Sequence, residues 1–213
     1  ILQATMKPAE LVAVAAELEM PGVALTDTGN MMGSFSFVSA VAAHNKSHPE
    51  NPIKGVIGCE LAMVEDCLNK KIKDLGHPIV LLAKNKQGYH NLTKLSSKAY
   101  TEGFYYIPRI DKKLLVCHKE GLIALSGGTR GEISAKLLNV GERQAEEALE
   151  WFKENFGDDF YLQLERHSQE EENRVNQQLI TLAKKHEIHL VATNNNFYRS
   201  KEDQELQDIL LCV

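Results

Sequence analysis

Six short aliphatic runs recur along the chain, each separated from the next by a stretch with helical spacing or by a polar connection. The runs are Val23 to Leu25, Ile53 to Cys59, Ile79 to Ala83, Leu122 to Leu125, Phe160 to Leu164 and Leu190 to Ala192. Runs of this length, bounded by turn residues, read as strands buried on both faces. Between them, apolar residues repeat at helical intervals in Pro8 to Glu19, Phe35 to Ala42, Tyr89 to Tyr100, Ala145 to Phe156 and Val175 to His186. No tight hairpin signal joins consecutive runs, so the alternation predicts a parallel sheet with helical crossovers, an α/β architecture.

Most of the runs end in polar residues. The first passes into Thr26-Asp27-Thr28-Gly29-Asn30, the second reaches Glu60, and the fourth ends in Ser126-Gly127-Gly128-Thr129-Arg130-Gly131. The fifth ends at Glu165-Arg166-His167 and the sixth at Thr193-Asn194-Asn195-Asn196. One such ending is explained by helix capping, and Asp27 alone fits that description. Recurrence at the same end of successive strands points instead to a cleft at the carboxyl ends of a barrel or open sheet. Ser168 with Glu171 has the spacing of a capping box for the helix that follows.

Other features admit plainer readings. The glycine-rich turn after Leu125 has no Walker lysine, so a simple turn is preferred to a phosphate cradle. The aromatic connector Gly103 to Arg109 could stack on bases, but packing of a long connection against the core is the more frequent explanation. Residues 64 to 77, with Lys70, Lys71 and Lys73, read as a solvated excursion. His44, His48, His77, His90, His118, His186 and His189 are scattered through helices and loops.

With 213 residues, 43% of them hydrophobic, the chain can bury one substantial core, and no flexible linker divides it, so residues 1–213 read as one domain. A net charge of -5 argues against strong nucleic-acid binding by this stretch alone. Cys59, Cys67, Cys117 and Cys212 have no paired spacing and no signal peptide precedes them, which suggests free thiols and a cytoplasmic setting. No run approaches the length of a membrane span. The chain opens at Ile1-Leu2 without Met and stops in an apolar pattern, as a piece of a longer protein would.

These segments resemble the polymerase-and-histidinol-phosphatase (PHP) domain at the start of bacterial DNA polymerase III alpha subunits. The resemblance is carried by Ala24-Leu25-Thr26-Asp27 with Gly29-Asn30-Met31, Ile57-Gly58-Cys59-Glu60, Leu82-Ala83-Lys84-Asn85, and Gly103-Phe104-Tyr105-Tyr106 with Pro108-Arg109. Gly121 to Gly127, Phe156 to Tyr161, Arg174-Val175-Asn176 and Ala192-Thr193-Asn194 extend it over the whole chain. The family implies a distorted seven-stranded β/α barrel of the TIM-barrel-like PHP type, here lacking its first strand, which would precede Ile1.

Active members of that family hold several divalent ions at the strand ends for phosphoester hydrolysis, where the ions ionise a water and neutralise charge on the reacting oxygens. Measured against that pattern, Asp27, Glu60 and His167 retain metal-ligand identities. Thr28, Gly128, Asn195 and Phe197 stand where the family has ligands. The resemblance therefore implies a catalytically degenerate scaffold with no cofactor of its own, at most one weakly held divalent ion, and no catalytic residue in this fragment. Asp27, Glu60, His167 and Asn195 are expected to satisfy one another by hydrogen bonds. The remainder of a polymerase alpha chain, with its magnesium ions bound beyond Val213, a proofreading exonuclease subunit and DNA are the implied partners, and no membrane. The competing expectation is an active metal-dependent phosphoesterase or 3'-5' exonuclease.

Overall fold

A computed structural model describes residues 3–212, so the expectations for Ile1, Leu2 and Val213 lie outside the described residues. In chain order the elements begin with α1 (Pro8–Glu17), β1 (Gly22–Thr28), α2 (Ser34–Ser47), β2 (Lys54–Val64) and β3 (His77–Ala83). They continue with α3 (Lys86–Thr101), β4 (Arg109–Asp111), α4 (Lys112–Cys117), β5 (Leu122–Leu125) and α5 (Glu132–Asn139). The last are α6 (Glu142–Phe156), β6 (Phe160–Leu164), α7 (Glu170–His186), β7 (His189–Ala192) and α8 (Gln204–Leu211).

The chain divides into two compact units, one drawn from Ile1–Leu25, Met32–Ile57 and Asn195–Val213 and the other from Thr26–Met31 and Gly58–Asn194. In the first, Val12 and Ala15 of α1 pack with Phe37 of α2 and Ile53, and with Val23, Leu25, Val41 and Ile57 at its edge. The side-chain amide of Gln207 on α8 accepts from the Thr5 N–H at 3.1 Å and donates to the Gln3 carbonyl at 2.6 Å. Arg199 reaches Glu17 at 2.7 Å.

The second unit holds the larger core. Cys59 and Leu61 of β2, Ile79 and Leu81 of β3, Leu122 and Ala124 of β5, and Phe160 and Leu162 of β6 supply its strands. Leu92, Leu95 and Ala99 of α3, Ala145, Leu149 and Phe152 of α6, and Val175, Leu179 and Leu182 of α7 are its helical stripes. The Asn85 side chain accepts from the Gly88 N–H at 2.9 Å and starts α3, and Asp111 does the same for α4 through Leu114 at 2.8 Å.

The sheet runs β1-β2-β3-β5-β6-β7, with β4 beside β2. Its direction corrects the expectation of a purely parallel sheet. β3 is antiparallel to β2, with Glu60 opposite Val80, and antiparallel to β5, while β5, β6 and β7 are mutually parallel. The reversal is made by the connection 65–76, long enough to turn the chain without a tight hairpin signature. Glu60 is also not at a strand end, because β2 continues through Leu61 to Val64. The cap of α7 lies one residue later than Ser168 with Glu171. Gln169 precedes the helix and Glu172 reaches back to its N–H at 3.4 Å, while Ser168 takes a left-handed backbone (φ 64°). The short β4, α4 and α5 have no counterpart in the sequence reading.

Arg109 anchors the 65–76 excursion. Its side chain is 1% exposed, and its guanidinium donates to the carbonyls of Gly103 (3.0 Å), Cys67 (3.1 Å), Asn69 (3.1 Å) and Asp74 (3.2 Å). Asp111 adds bonds to the Cys67 N–H at 3.3 Å and thiol at 3.1 Å. Arg109 thus belongs to the interior and is not a nucleic-acid contact. Replacing it by Met, which keeps length and loses every donor, strands the buried carbonyls of Gly103 and Cys67 and is expected to cost roughly 3 kcal/mol. The shift of the urea unfolding midpoint checks this, and a loss below about 1 kcal/mol would mean that the excursion holds itself.

Candidate functional site

Asp27 and Thr28 are the last two residues of β1, and Glu60 lies on β2 beside it. The Thr28 hydroxyl donates to Glu60 Oε1 at 3.4 Å, and the Gly29 N–H donates to the Glu60 carbonyl at 2.7 Å. Burial raises the pKa of the Glu60 carboxyl, the Arg130 guanidinium and the Thr28 hydrogen bond oppose it, and the Glu165 charge adds to the rise. Between Asp27 and Glu60 in electrostatic reach is the buried Cys59. Its thiol is pushed up to about 12, first by burial and then by the Asp27 and Glu60 charges, and its Sγ donates to the Asn30 carbonyl at 3.3 Å. In these surroundings the thiol form is favoured over the thiolate.

Gly128 follows β5 in the glycine turn, with a left-handed backbone (φ 62°). A Cβ built there would lie 2.2 Å from Glu165 Oε2. The Glu165 carboxylate thus fills the space that any side chain at 128 would enter. It is held there by the Thr129 N–H (3.1 Å) and hydroxyl (3.3 Å). Two residues earlier, on β6, Gln163 continues the same seam. Gln163 Oε1 accepts from the Gly127 N–H at 2.5 Å, and Gln163 Nε2 donates to the Thr193 hydroxyl at 3.1 Å.

His167 has both ring nitrogens engaged. Nδ1 meets Glu172 Oε1 at 2.7 Å and Nε2 meets Asn194 Oδ1 at 2.7 Å. Two acceptors favour the doubly protonated ring, and the hydrogen bond to Glu172, then that to Asn194, raises its pKa. The His167 N–H also donates to Glu172 Oε2 at 2.6 Å, and burial of Glu172 is outweighed by these bonds, so its pKa falls.

The sequence-selected residues are thus distributed unevenly. Thr28 and Glu60 meet, Asp27 acts with Glu60 on Cys59, and Gly128 receives Glu165. The partner of His167 from the segment after β7 is Asn194, one residue before the expected Asn195. Asn195 and Phe197 belong to the other unit, where the Phe197 carbonyl accepts from Thr5 and Met6. Glu165, Glu172, Asn194 and Cys59 were not selected in sequence. Glu165 and Asn194 both carried a signal, as polar residues following apolar runs.

The donor set at this strand-end region does not fit a multi-ion hydrolytic centre. It offers carboxylates, an imidazole with both ring nitrogens already engaged and a buried thiol that donates to a backbone carbonyl, whereas zinc-like ions take a free imidazole nitrogen and thiolate. Among the described residues, the group of three metal-binding side chains with ligand atoms within 4.8 Å of one another is Glu146, Glu150 and His186, on α6 and α7.

A family profile for the PHP domain matches residues 1–167. DNA polymerase III subunit alpha of Treponema pallidum is 41% identical over 208 residues, covering 95% of this chain and 17% of that protein. The subunit of the same name from Borreliella burgdorferi is 38% identical over 217 residues, covering all of this chain and 18% of the relative. The chain therefore spans less than a fifth of the length of these curated relatives. Among solved structures, an amidohydrolase from Chromobacterium violaceum superposes with a TM-score of 0.58 at 11% identity, over 98% of this chain and 93% of that one. A putative metal-dependent phosphoesterase from Bifidobacterium adolescentis gives 0.53 at 12% identity, over 99% and 92%. At that identity the two structures bear on fold alone, and they bear out the α/β, TIM-barrel-like PHP architecture.

Two consequences are measurable. Gly128→Ala forces both the Glu165 contact and a left-handed backbone on a Cβ, and should destabilise by roughly 2 kcal/mol. In a Glu165→Ala background the steric part should vanish, so equal costs in the two backgrounds would refute the contact. The protonated His167 contribution is fully present below the ordinary imidazole value of 6.5 and is lost as pH rises through the raised folded value. The Glu172 contribution is present above its ordinary 4.5 and is lost as pH falls through the lowered one. The stability gap between parent and His167→Asn should therefore narrow as pH climbs above 6.5, read from denaturant midpoints. A gap independent of pH would exclude the charged pair.

Proposed function

The chain belongs to the PHP domain family, and from that premise we propose that it is the PHP domain of a DNA polymerase III alpha subunit, serving as a scaffold and not as a hydrolase. The observation that carries the polymerase assignment is 38% identity to such a subunit along the entire chain. On this reading the whole protein is a DNA-directed DNA polymerase, a nucleotidyltransferase acting on DNA, and works in the cytoplasm. No helix among the described residues is long and apolar enough to cross a membrane.

The non-catalytic part of the proposal is supported by the contact at Gly128. A ligand there would need the space occupied by the Glu165 carboxylate. With Thr28 next to Asp27, the first strand end likewise offers a hydroxyl, which donates to Glu60. A hydroxyl and a glycine do not replace an imidazole and a thiolate in holding closely spaced ions. Asp27, Glu60 and His167 are then vestigial ligands, and the polymerase magnesium ions are held by other parts of the protein. The rest of the alpha chain and a proofreading exonuclease subunit are the proposed partners of the scaffold.

The intact protein tests this directly. Asp27→Ala and Glu60→Ala should leave primer extension within about threefold of the parent, and neither should change metal-stimulated release of nucleotides from a 3' end. Release that depends on zinc or manganese and is abolished by Asp27→Ala would reinstate the phosphoesterase or exonuclease reading. Absence of primer extension by the intact parent would overturn the polymerase assignment.

A further inference from the structure

Away from the strand ends, α6 and α7 bring together a second group of ligating side chains. Glu146 and Glu150 are four residues apart on α6 and share one face. His186, the last residue of α7, meets them, and one ligand atom from each of the three lies within 4.8 Å of the other two. The imidazole is already aimed, with its Nε2 on Glu146 Oε1 and its side chain only 13% exposed. The main chain at the same residue is fixed too, since Lys153 Nζ donates to the His186 carbonyl at 2.5 Å.

We propose that Glu146, Glu150 and His186 form a binding site for a single zinc-class divalent ion that ties α6 to the end of α7. One imidazole and two carboxylates are a borderline donor set, suited to zinc and poorly suited to magnesium, which prefers oxygen ligands alone and keeps its water. Zinc bonds of about 2.0 to 2.2 Å set ligand atoms roughly 3.4 Å apart, so Glu150 draws in while the imidazole and Glu146, now in direct contact, part to admit the ion. Three protein ligands leave a fourth tetrahedral position for water, and Glu150 is the exposed member of the group.

Lys185 is the competitor. Its ammonium also sits on Glu146 Oε1, but its side chain is 58% exposed and it feels the charges of Glu142 and Glu150 as well. An arriving ion displaces it toward Glu142, exchanging a solvent-screened pair for direct coordination. The ion binds only the folded arrangement, because the ligands come from two helices separated by β6, so occupancy also raises folding stability.

The experiment is calorimetric titration of chelator-stripped intact protein with zinc chloride in a non-coordinating buffer, paired with thermal unfolding. Parent protein should show one zinc equivalent that is weakened at least about tenfold by Glu150→Gln and by His186→Asn, with loss of the zinc-induced rise in Tm. Lys185→Met should tighten binding, and excess magnesium should not compete. Glu150 is exposed, so its variant keeps the fold even if the His186 variant does not. Absence of zinc binding, binding unchanged by Glu150→Gln, or an equivalent lost with Asp27→Asn instead would each overturn the proposal.

Discussion

The turn from Ser126 to Gly131 is the constraint on which the strand-end region depends. A Cβ at Gly127 would fall 1.9 Å from the Pro78 carbonyl oxygen, and one at Gly131 would fall 1.8 Å from that of Ser126. The turn is therefore pressed against β3 by its backbone, with no room for side chains. Hydrogen bonds then fasten it sideways. Gln163 takes the Gly127 N–H and gives its own N–H to the Ser126 hydroxyl at 2.9 Å, while the Arg130 carbonyl meets His77 Nδ1 at 3.2 Å. One glycine-rich loop thereby links β3, β5 and β6, and through Thr193 it reaches the end of β7. A loop built this way fixes where Thr129 and Arg130 stand, and so fixes the charges around Glu60 and Glu165.

Much of the fold was legible because burial imposes a period. The run Phe160 to Leu164 is β6 with the same bounds, and Leu122 to Leu125 is β5 likewise. The helical stripes of α3, α6 and α7 follow from apolar residues three and four apart. Direction is another matter, since an aliphatic run buried on both faces looks alike whichever way it points. β3 is reversed by a connection whose order comes from a distant residue, Arg109, and local turn chemistry does not reveal it. The same tertiary cause hid β4, whose three residues are placed by pairing with Ala62, Met63 and Val64.

The candidate site was legible in residue types and illegible in pairings. Glu60 ended an apolar run on one side, yet Leu61, Ala62, Met63 and Val64 continue it on the other, which is why β2 does not stop there. His167 lies three residues beyond the end of β6, in the connection to α7. Its tie to Glu172 depends on the first turn of α7 folding back, a geometry set by the left-handed Ser168 and not by spacing. Asn194 rather than Asn195 faces it because one residue of register decides which of three consecutive asparagines points there. The Glu146, Glu150 and His186 group needed the relative placement of two helices, which no periodicity supplies.

The exchange at position 128 gives the proposed loss of hydrolytic function a physical logic. A side chain absent from a left-handed turn position leaves a space, and close packing requires that something fill it. Glu165 does so, and its carboxylate gains two donors from Thr129. Seated there, that carboxylate must move before any side chain at 128 can enter the space. The scaffold reading follows the same line. On that proposed reading, the hydrogen bonds at the strand ends tie β1 to β2 and β5 to β6, with the Arg130 charge acting on Glu60 and the His167 ring bonded to Glu172. Removing ions from an acidic cluster would ordinarily leave like charges facing one another at a cost of several kcal/mol. Here Glu60, Glu165 and Glu172 each have a donor, from Thr28, Thr129 and His167, which is the internal hydrogen bonding that the proposed scaffold relies on.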